Sequence, residues 1–202
     1  MNVQNIDYGR VDEVVDTLHE AFYDYPVMKF VLGADAPDFR RLHERMTRLF
    51  VMGRVYSKEP LFGIGDPNRL AAAAIVSLPE TDGTPDALHE YRQQVWATFE
   101  PAARCRYDKY VSACASFDID LPHHHLNMVG VRKAHKGTGL GRALVEHVIR
   151  KSDRHEDSHG VSLTTELASN VSFYERLGFE VTGHIEVAPG FETWNFFRQR
   201  KT

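Results

Sequence analysis

The sequence predicts a mixed α/β fold, and three observations carry that prediction. Stretches with helical apolar spacing alternate with short apolar runs of strand character from one end of the chain to the other. One such run, 123–131, passes through a glycine-rich bend directly into a helix. No Pro-, Gly- or Ser-rich linker interrupts the pattern, so 1–202 reads as a single domain. With 202 residues, 43% of them apolar and 26% charged, the chain is long enough to bury a real core.

The elements follow in order. Over 11–22, Val11, Val14, Val15, Leu18, Ala21 and Phe22 share one helical face, and Pro26 disfavours helix at Tyr25. A second helix fits 38–52 through Phe39, Leu42, Met46, Leu49 and Phe50. Strands are expected near 54–65 and 69–78, with a loop over 80–85. Residues 86–117 read as helix in two pieces, broken at Pro101. After the strand at 123–131, a helix over 139–151 sets Leu140, Leu144, Val145 and Val148 against Arg142, Glu146, Arg150 and Lys151. A strand at 161–166 and a short helix at 170–179 stopped by Gly178 come next. Two strands around a Pro189-Gly190 turn close the chain.

Charge and composition exclude several functions. A net charge of −4 supplies no basic field for nucleic acid. No run of 18 apolar residues is present, so no membrane span is expected. The first residues are acidic where a signal peptide needs an apolar stretch. Cys105 and Cys114 make neither a disulfide framework nor a CxxC pair. A cytoplasmic protein is the simplest expectation.

The most informative stretch is Val129-Gly130-Val131 followed by Arg132-Lys133-Ala134-His135-Lys136-Gly137-Thr138-Gly139-Leu140-Gly141-Arg142. A strand, a bend with alternate glycines and an immediate helix point several main-chain N–H groups into one concavity. The helix N-terminus adds partial positive charge, and the glycines let an anion approach the backbone. Lys136 and Arg142 add full charges. A phosphate or pyrophosphate cradle is predicted; the alternative is a tight connection that happens to be glycine-rich. The bend is not a P-loop, since no GK-Ser/Thr is present, and Arg142 stands where a dinucleotide fingerprint needs its third glycine.

The block Lys136-Gly137-Thr138-Gly139-Leu140-Gly141 resembles the Gln/Arg-x-x-Gly-x-Gly/Ala signature of the GNAT superfamily of acetyl-CoA-dependent N-acetyltransferases, with Lys in the first place. About thirty residues on, Asn170-Val171-Ser172-Phe173-Tyr174-Glu175-Arg176-Leu177-Gly178-Phe179 resembles that family's Asn-x-x-x-Tyr element before Leu-Gly-Phe. The segments AFYDYP (21–26), FYERLGF (173–179) and FETW (191–194) are similar to the branch containing puromycin N-acetyltransferase. The resemblance implies a twisted mixed sheet of about seven strands flanked by helices. Its central strands, 123–131 and 160–166, would start paired and then splay. Acetyl-CoA would be the co-substrate, with no metal. Its pantetheine would lie along Val129, Gly130 and Val131, its pyrophosphate on Lys136 to Arg142, and Asn170 beside it.

The implied reaction is direct acetyl transfer to the primary amine of a small molecule. A protein or peptide acceptor, or a non-catalytic acyl-CoA-binding module, are the competing readings. No nucleic acid or membrane partner is expected, and the chain would be a monomer or homodimer. Such transfer needs an amine stripped of its proton, donors for the oxyanion and a proton for the leaving thiolate. Tyr174 matches the family's donor, on one helical face with Asn170. The Val129 N–H would serve the oxyanion. For the base, His125 and His123 are candidates, with Glu166 a further one; alternation puts His124 on the opposite face. Successive strand residues cannot converge on one ion, so the histidine triplet is not read as a metal site. Free cysteine is more often a small core residue, so no acetyl-cysteine step is expected. By the same resemblance, Phe22, Tyr23, Asp24, Tyr25, Phe191 and Trp194 would wall the acceptor site, and 86–117 would cover or leave it.

Overall fold

The computed structural model describes residues 1–66, 69–79 and 83–201. Seven strands form one sheet in the order β1-β2-β3-β4-β5-β7-β6. They are β1 (Gln4–Asn5), β2 (Leu61–Asp66), β3 (Arg69–Ser77), β4 (His124–Val131), β5 (Gly160–Thr165), β6 (Glu180–Ala188) and β7 (Phe191–Gln199). The seven helices are α1 (Val11–Phe22), α2 (Pro26–Leu32), α3 (Phe39–Tyr56), α4 (Asp86–Trp96), α5 (Pro101–Ala115), α6 (Leu140–Asp153) and α7 (Ala168–Glu175).

Strand β3 shows why helices flank both faces. Its run of Ala72, Ala73, Ala74, Ile75 and Val76 is fully buried without alternation, as a strand covered on both sides must be. On one face Ala73, Ile75 and Met128 pack with Val14 and Leu18 of α1, Met28 and Val31 of α2 and Met46 of α3. On the other, Ala74, Val76 and Leu126 pack with Leu144, Val145 and Val148 of α6 and with Tyr174 of α7.

Strand β4 contributes to both cores through one irregularity. Ile75 pairs with Met128, but the next residue, Val76, pairs with Leu126, which leaves Asn127 as an extra residue. Without this bulge Leu126 and Met128 would share a face; with it they enter opposite clusters. Helix α1 lies so close over β4 that a Cβ at Gly130 would stand 2.7 Å from Ala21 Cβ. Arg132, at the end of β4, is buried and reaches Asp16 at 2.5 Å and Glu20 at 2.6 Å, which fixes α1 over the strand.

The decisive feature is where β4 meets β5. These parallel strands pair only at His124↔Val161 and His125↔Ser162. Beyond His125 they part, while β5 remains paired along its length to β7. The expected splay of the central strands is present.

Several boundaries differ from the sequence reading. Pro26 does end the first helix region, but it also opens α2 as an N-terminal helix residue, where its missing N–H costs nothing. Helix α3 continues to Tyr56, so the strand expected from 54 begins at Leu61. The short β1 had no signal of its own in so polar a segment. The loop expected over 80–85 lies outside the described residues at 80–82. Pro101 breaks 86–117 as expected and starts α5.

Candidate active site

A cavity of about 490 Å³ opens where β4 and β5 diverge. Its walls come from α2, α3, α4 and α5, and its floor from residues 125–129 of β4, Thr164 and Glu166 of the β5 end, and Asn170 and Tyr174 of α7. Most of the lining is apolar or aromatic, with a few polar groups converging, as small-molecule sites are built.

Glu166 is the centre of the polar part. It is buried, and its Oε1 accepts hydrogen bonds from the Tyr110 hydroxyl at 2.7 Å and the Thr193 hydroxyl at 3.1 Å. Its own N–H donates to the Tyr25 hydroxyl oxygen at 3.3 Å. Burial raises its pKa above the usual carboxylate range, and the hydroxyl donors offset part of that rise. Tyr25 and Thr165 share a hydrogen bond of 2.8 Å, and Asn170 Nδ2 donates to Thr165 Oγ1 at 3.0 Å. Thr165 thereby links α7 to the loop between α1 and α2.

Tyr174 is 6% exposed and packs its ring among Phe173, Phe179 and Phe196. Burial, and then the charge of Glu166, raise its pKa, so the phenol keeps its proton at neutral pH. His125 shares a hydrogen bond of 2.7 Å between Nδ1 and Ser162 Oγ. Burial, aided by the charges of His123 and Arg54, lowers its pKa to about 4, so it is neutral at pH 7 and a weak base.

Of the predicted residues, the cavity brings together Tyr174, His125, Val129, Asn170 and Tyr25, with Phe22 and Glu166 beside them. His123 does not join them. It precedes β4, its Nδ1 meets the Leu121 carbonyl at 2.5 Å, and its ring lies edge-on to Phe197. Tyr23 packs instead against His19, Phe39 and His43. Asp24 points outward and pairs with Lys29 and Lys133, each at 3.3 Å. Trp194 stacks on His184, and Phe191 on Phe30. None of these five residues, His123, Tyr23, Asp24, Phe191 and Trp194, lines the cavity.

The glycine bend forms an open concavity. Gly137 has φ 79° and Gly139 φ 83°, left-handed values that favour glycine. A Cβ at Gly137 would meet nothing within 4 Å, and one at Gly139 only the tip of the Met1 side chain at 3.7 Å, so the bend is open at Gly137 and touched by a flexible side chain at Gly139. Gly139 caps α6 with no side-chain partner, which leaves the first-turn amides of Leu140, Gly141 and Arg142 without intrahelical acceptors. Lys136 is exposed beside them, Arg142 is held by Glu146 at 2.8 Å, and the Thr138 hydroxyl donates to the His135 carbonyl at 2.6 Å. This open set of N–H donors with basic neighbours fits a pyrophosphate. Gly130 has a different reason: the closeness of α1 leaves no room for a side chain.

Neither Tyr110 nor the arginines around the cavity carry a signal in the sequence. Helix α5 has almost no amphipathic stripe, because its apolar wall faces a cavity and not a core, so periodicity could not flag it.

Residues 92–181 match the family described as "Acetyltransferase (GNAT) domain". Over 70 residues the chain is 34% identical to the 5-NmdU N-acetyltransferase of Pseudomonas phage PaMx11; the match spans 35% of this chain and about half, 49%, of that relative. Among solved structures, the Corynebacterium glutamicum histone acetyltransferase HPA2 and related acetyltransferase is similar with a TM-score of 0.73 at 18% identity, covering 100% of this chain and 97% of that one. The Drosophila melanogaster polyamine N acetyltransferase is similar with a TM-score of 0.60 at 17% identity, covering 97% of both chains. The Aedes aegypti arylalkylamine N-acetyltransferase 2 gives 0.62 at 16% identity, covering 97% of this chain and 96% of that one. What this chain has in common with these structures is its fold, here a seven-stranded mixed sheet flanked by helices.

Proposed function

We propose that this chain, whose residues 92–181 match a GNAT acetyltransferase domain, is an acyltransferase that moves an acetyl group from acetyl-CoA to the primary amine of a small molecule, by direct attack. The observation that carries this reading is the parting of β4 from β5 after His125, directly over a cavity holding Tyr174 and Glu166. The freed edge of β4, with Val129 on the cavity, suits a pantetheine arm, and the open bend at 136–142 suits its pyrophosphate.

Acetyl-CoA supplies the acetyl thioester that the amine attacks. Glu166, held above the usual carboxylate range, takes the proton that the ammonium must lose before attack. It fits this role better than His125, whose pKa of about 4 makes it a weak acceptor. His125 instead borders the gap as a neutral, polar wall. Tyr174 gives its hydroxyl proton to the sulfur as the C–S bond breaks and the C–N bond forms, and the second proton that the nitrogen sheds on becoming an amide restores the phenol. Its raised pKa keeps that proton available until then.

A small acceptor is supported by α4 and α5, which wall the cavity where a peptide would need an open groove. That the phage relative and the polyamine and arylalkylamine enzymes are named as N-acetyltransferases supports nitrogen as the accepting atom. The AFYDYP, FYERLGF and FETW segments support a place beside the puromycin branch, without that substrate. Free cysteines at Cys105 and Cys114 suit a cytoplasmic setting. The test is thiol release from acetyl-CoA against a panel of amines, aminated antibiotics and peptides. Turnover with small amines and not with peptides is expected; turnover with peptides alone, or with none, rejects the reading.

A further inference from the structure

We infer that the acceptor is an amine with an apolar body that also bears an anionic group, and that Arg92 on α4 receives that group. This rests on the acetyl-transfer reading of the same cavity. The cavity is lined by Arg54, Arg92, Arg104, Asp108 and Glu166. Arg104 is neutralised by Asp108, both oxygens at 2.9 Å, and its guanidinium lies over Trp96 at 4.8 Å. Arg54, half-buried, pairs with the buried Glu59 at 2.9 Å. Among the described residues the Glu166 carboxylate has hydroxyl partners, Tyr110 and Thr193, and no cationic one. Arg92 forms no ion pair or hydrogen bond among the described residues, although it is half-buried.

A half-buried guanidinium without an acceptor is costly unless something supplies one. Its field is felt inside the cavity, because it favours the charged forms of Tyr107 and Glu59. Side chains of one helix, α5, reach towards both Glu166 and Arg92. Tyr110 holds Glu166, and Tyr107, beside Arg92, stands three residues earlier on α5, about 4.5 Å of helical rise away. An acceptor lying along α5 therefore places its amine towards Glu166 and the strand gap and its anion towards Arg92. Met28, Phe50, Trp96 and Tyr107 leave apolar or aromatic room between them. Either a carboxylate or a phosphate offers the bidentate acceptor that arginine favours.

The experiment compares matched amines. 4-(Aminomethyl)benzoate is set against 4-(aminomethyl)benzamide, and 4-(aminomethyl)phenyl phosphate against 4-(aminomethyl)phenol, by thiol release from acetyl-CoA. Calorimetric titration of the same amines is run in the presence of coenzyme A. We expect the anionic member of at least one pair to be preferred in kcat/KM, and Arg92→Gln to cut that ratio about tenfold or more, with Arg92→Lys restoring part of it. The preferred pair identifies carboxylate or phosphate. Transfer to amines with no preference in either pair, or a preference that Arg92→Gln leaves intact, overturns the inference while acetyl transfer stands. Binding of the anionic amine that is lost in Arg92→Gln, without any transfer, upholds the inference and rejects acetyl transfer. Absence of both overturns both.

Discussion

Tyr110 of α5 donates its hydroxyl hydrogen to Oε1 of Glu166 at 2.7 Å, across 56 residues of sequence. This bond joins the helix pair that walls the cavity to the carboxylate at the end of β5. It also sets the acidity of that carboxylate, since a donor to the charged form lowers the pKa that burial has raised.

Tyr110→Phe removes the donor and keeps the ring. The Glu166 pKa should then rise further, because the donor to its charged form is gone. If Glu166 accepts the amine's proton, the acidic limb of the kcat/KM profile moves to higher pH, and the rate on that limb falls. A variant with an unmoved limb removes Glu166 from the base role. His125→Ala should leave the limb between pH 5 and 8 in place, because that imidazole is already neutral there.

Tyr174→Phe leaves the aromatic packing with Phe173, Phe179 and Phe196 in place. It should lower kcat by about a hundredfold with little change in the affinity for acetyl-CoA, as loss of a general acid does. Stopped-flow thiol release under saturating acetyl-CoA measures this. Loss of affinity with normal saturated turnover contradicts a donor role.

How far the sequence carried the argument depends on which physical signal each feature leaves. The bend at 137–139 was legible because left-handed turns and open amides demand glycine, and glycine is visible in sequence. Tyr174 and Asn170 were legible through their motif. The bulge at Asn127 was not, because an extra strand residue leaves the apolar pattern merely out of phase, and that reassigns which β4 residues face the cavity. Trp194 and Tyr23 were nominated as aromatic walls, but aromatic identity cannot tell a wall from a stack on His184 or on Phe39. Tyr110 and Arg92 left no trace, since each matters only through a partner or a void remote in sequence.

Two glycines in one motif should answer differently to substitution. Gly139→Val puts a branched side chain at φ 83° on the lip of the bend; roughly 1–2 kcal/mol of strain is expected, with acetyl-CoA affinity falling more than about tenfold. Gly130→Ala presses a methyl against Ala21, so about 1–3 kcal/mol of stability should be lost, with acetyl-CoA affinity largely kept. Urea unfolding and acetyl-CoA titration of both variants separate the cases. Equal losses of affinity would place Gly130 in the cradle after all.

The buried histidines make stability depend on pH in a stated direction. Burial lowers the pKa of His43, His124 and His125 to about 4, below the ordinary value of 6.5. Between those values the unfolded chain binds protons that the folded chain refuses, so stability falls as pH falls from 6.5 to 4. Each such group adds a slope of about 1.4 kcal/mol per pH unit at most. Glu59 and Glu166, held above the carboxylate range, oppose this, because the folded state keeps protons that the unfolded chain releases. His124 isolates the effect, since it lies on the α6 side, bonded to Ser158 at 2.9 Å and away from the cavity. His124→Gln should flatten the dependence of the urea midpoint on pH between 6.5 and 4 relative to the parent chain. Parallel curves for the two proteins would mean that this imidazole takes up its proton as readily folded as unfolded.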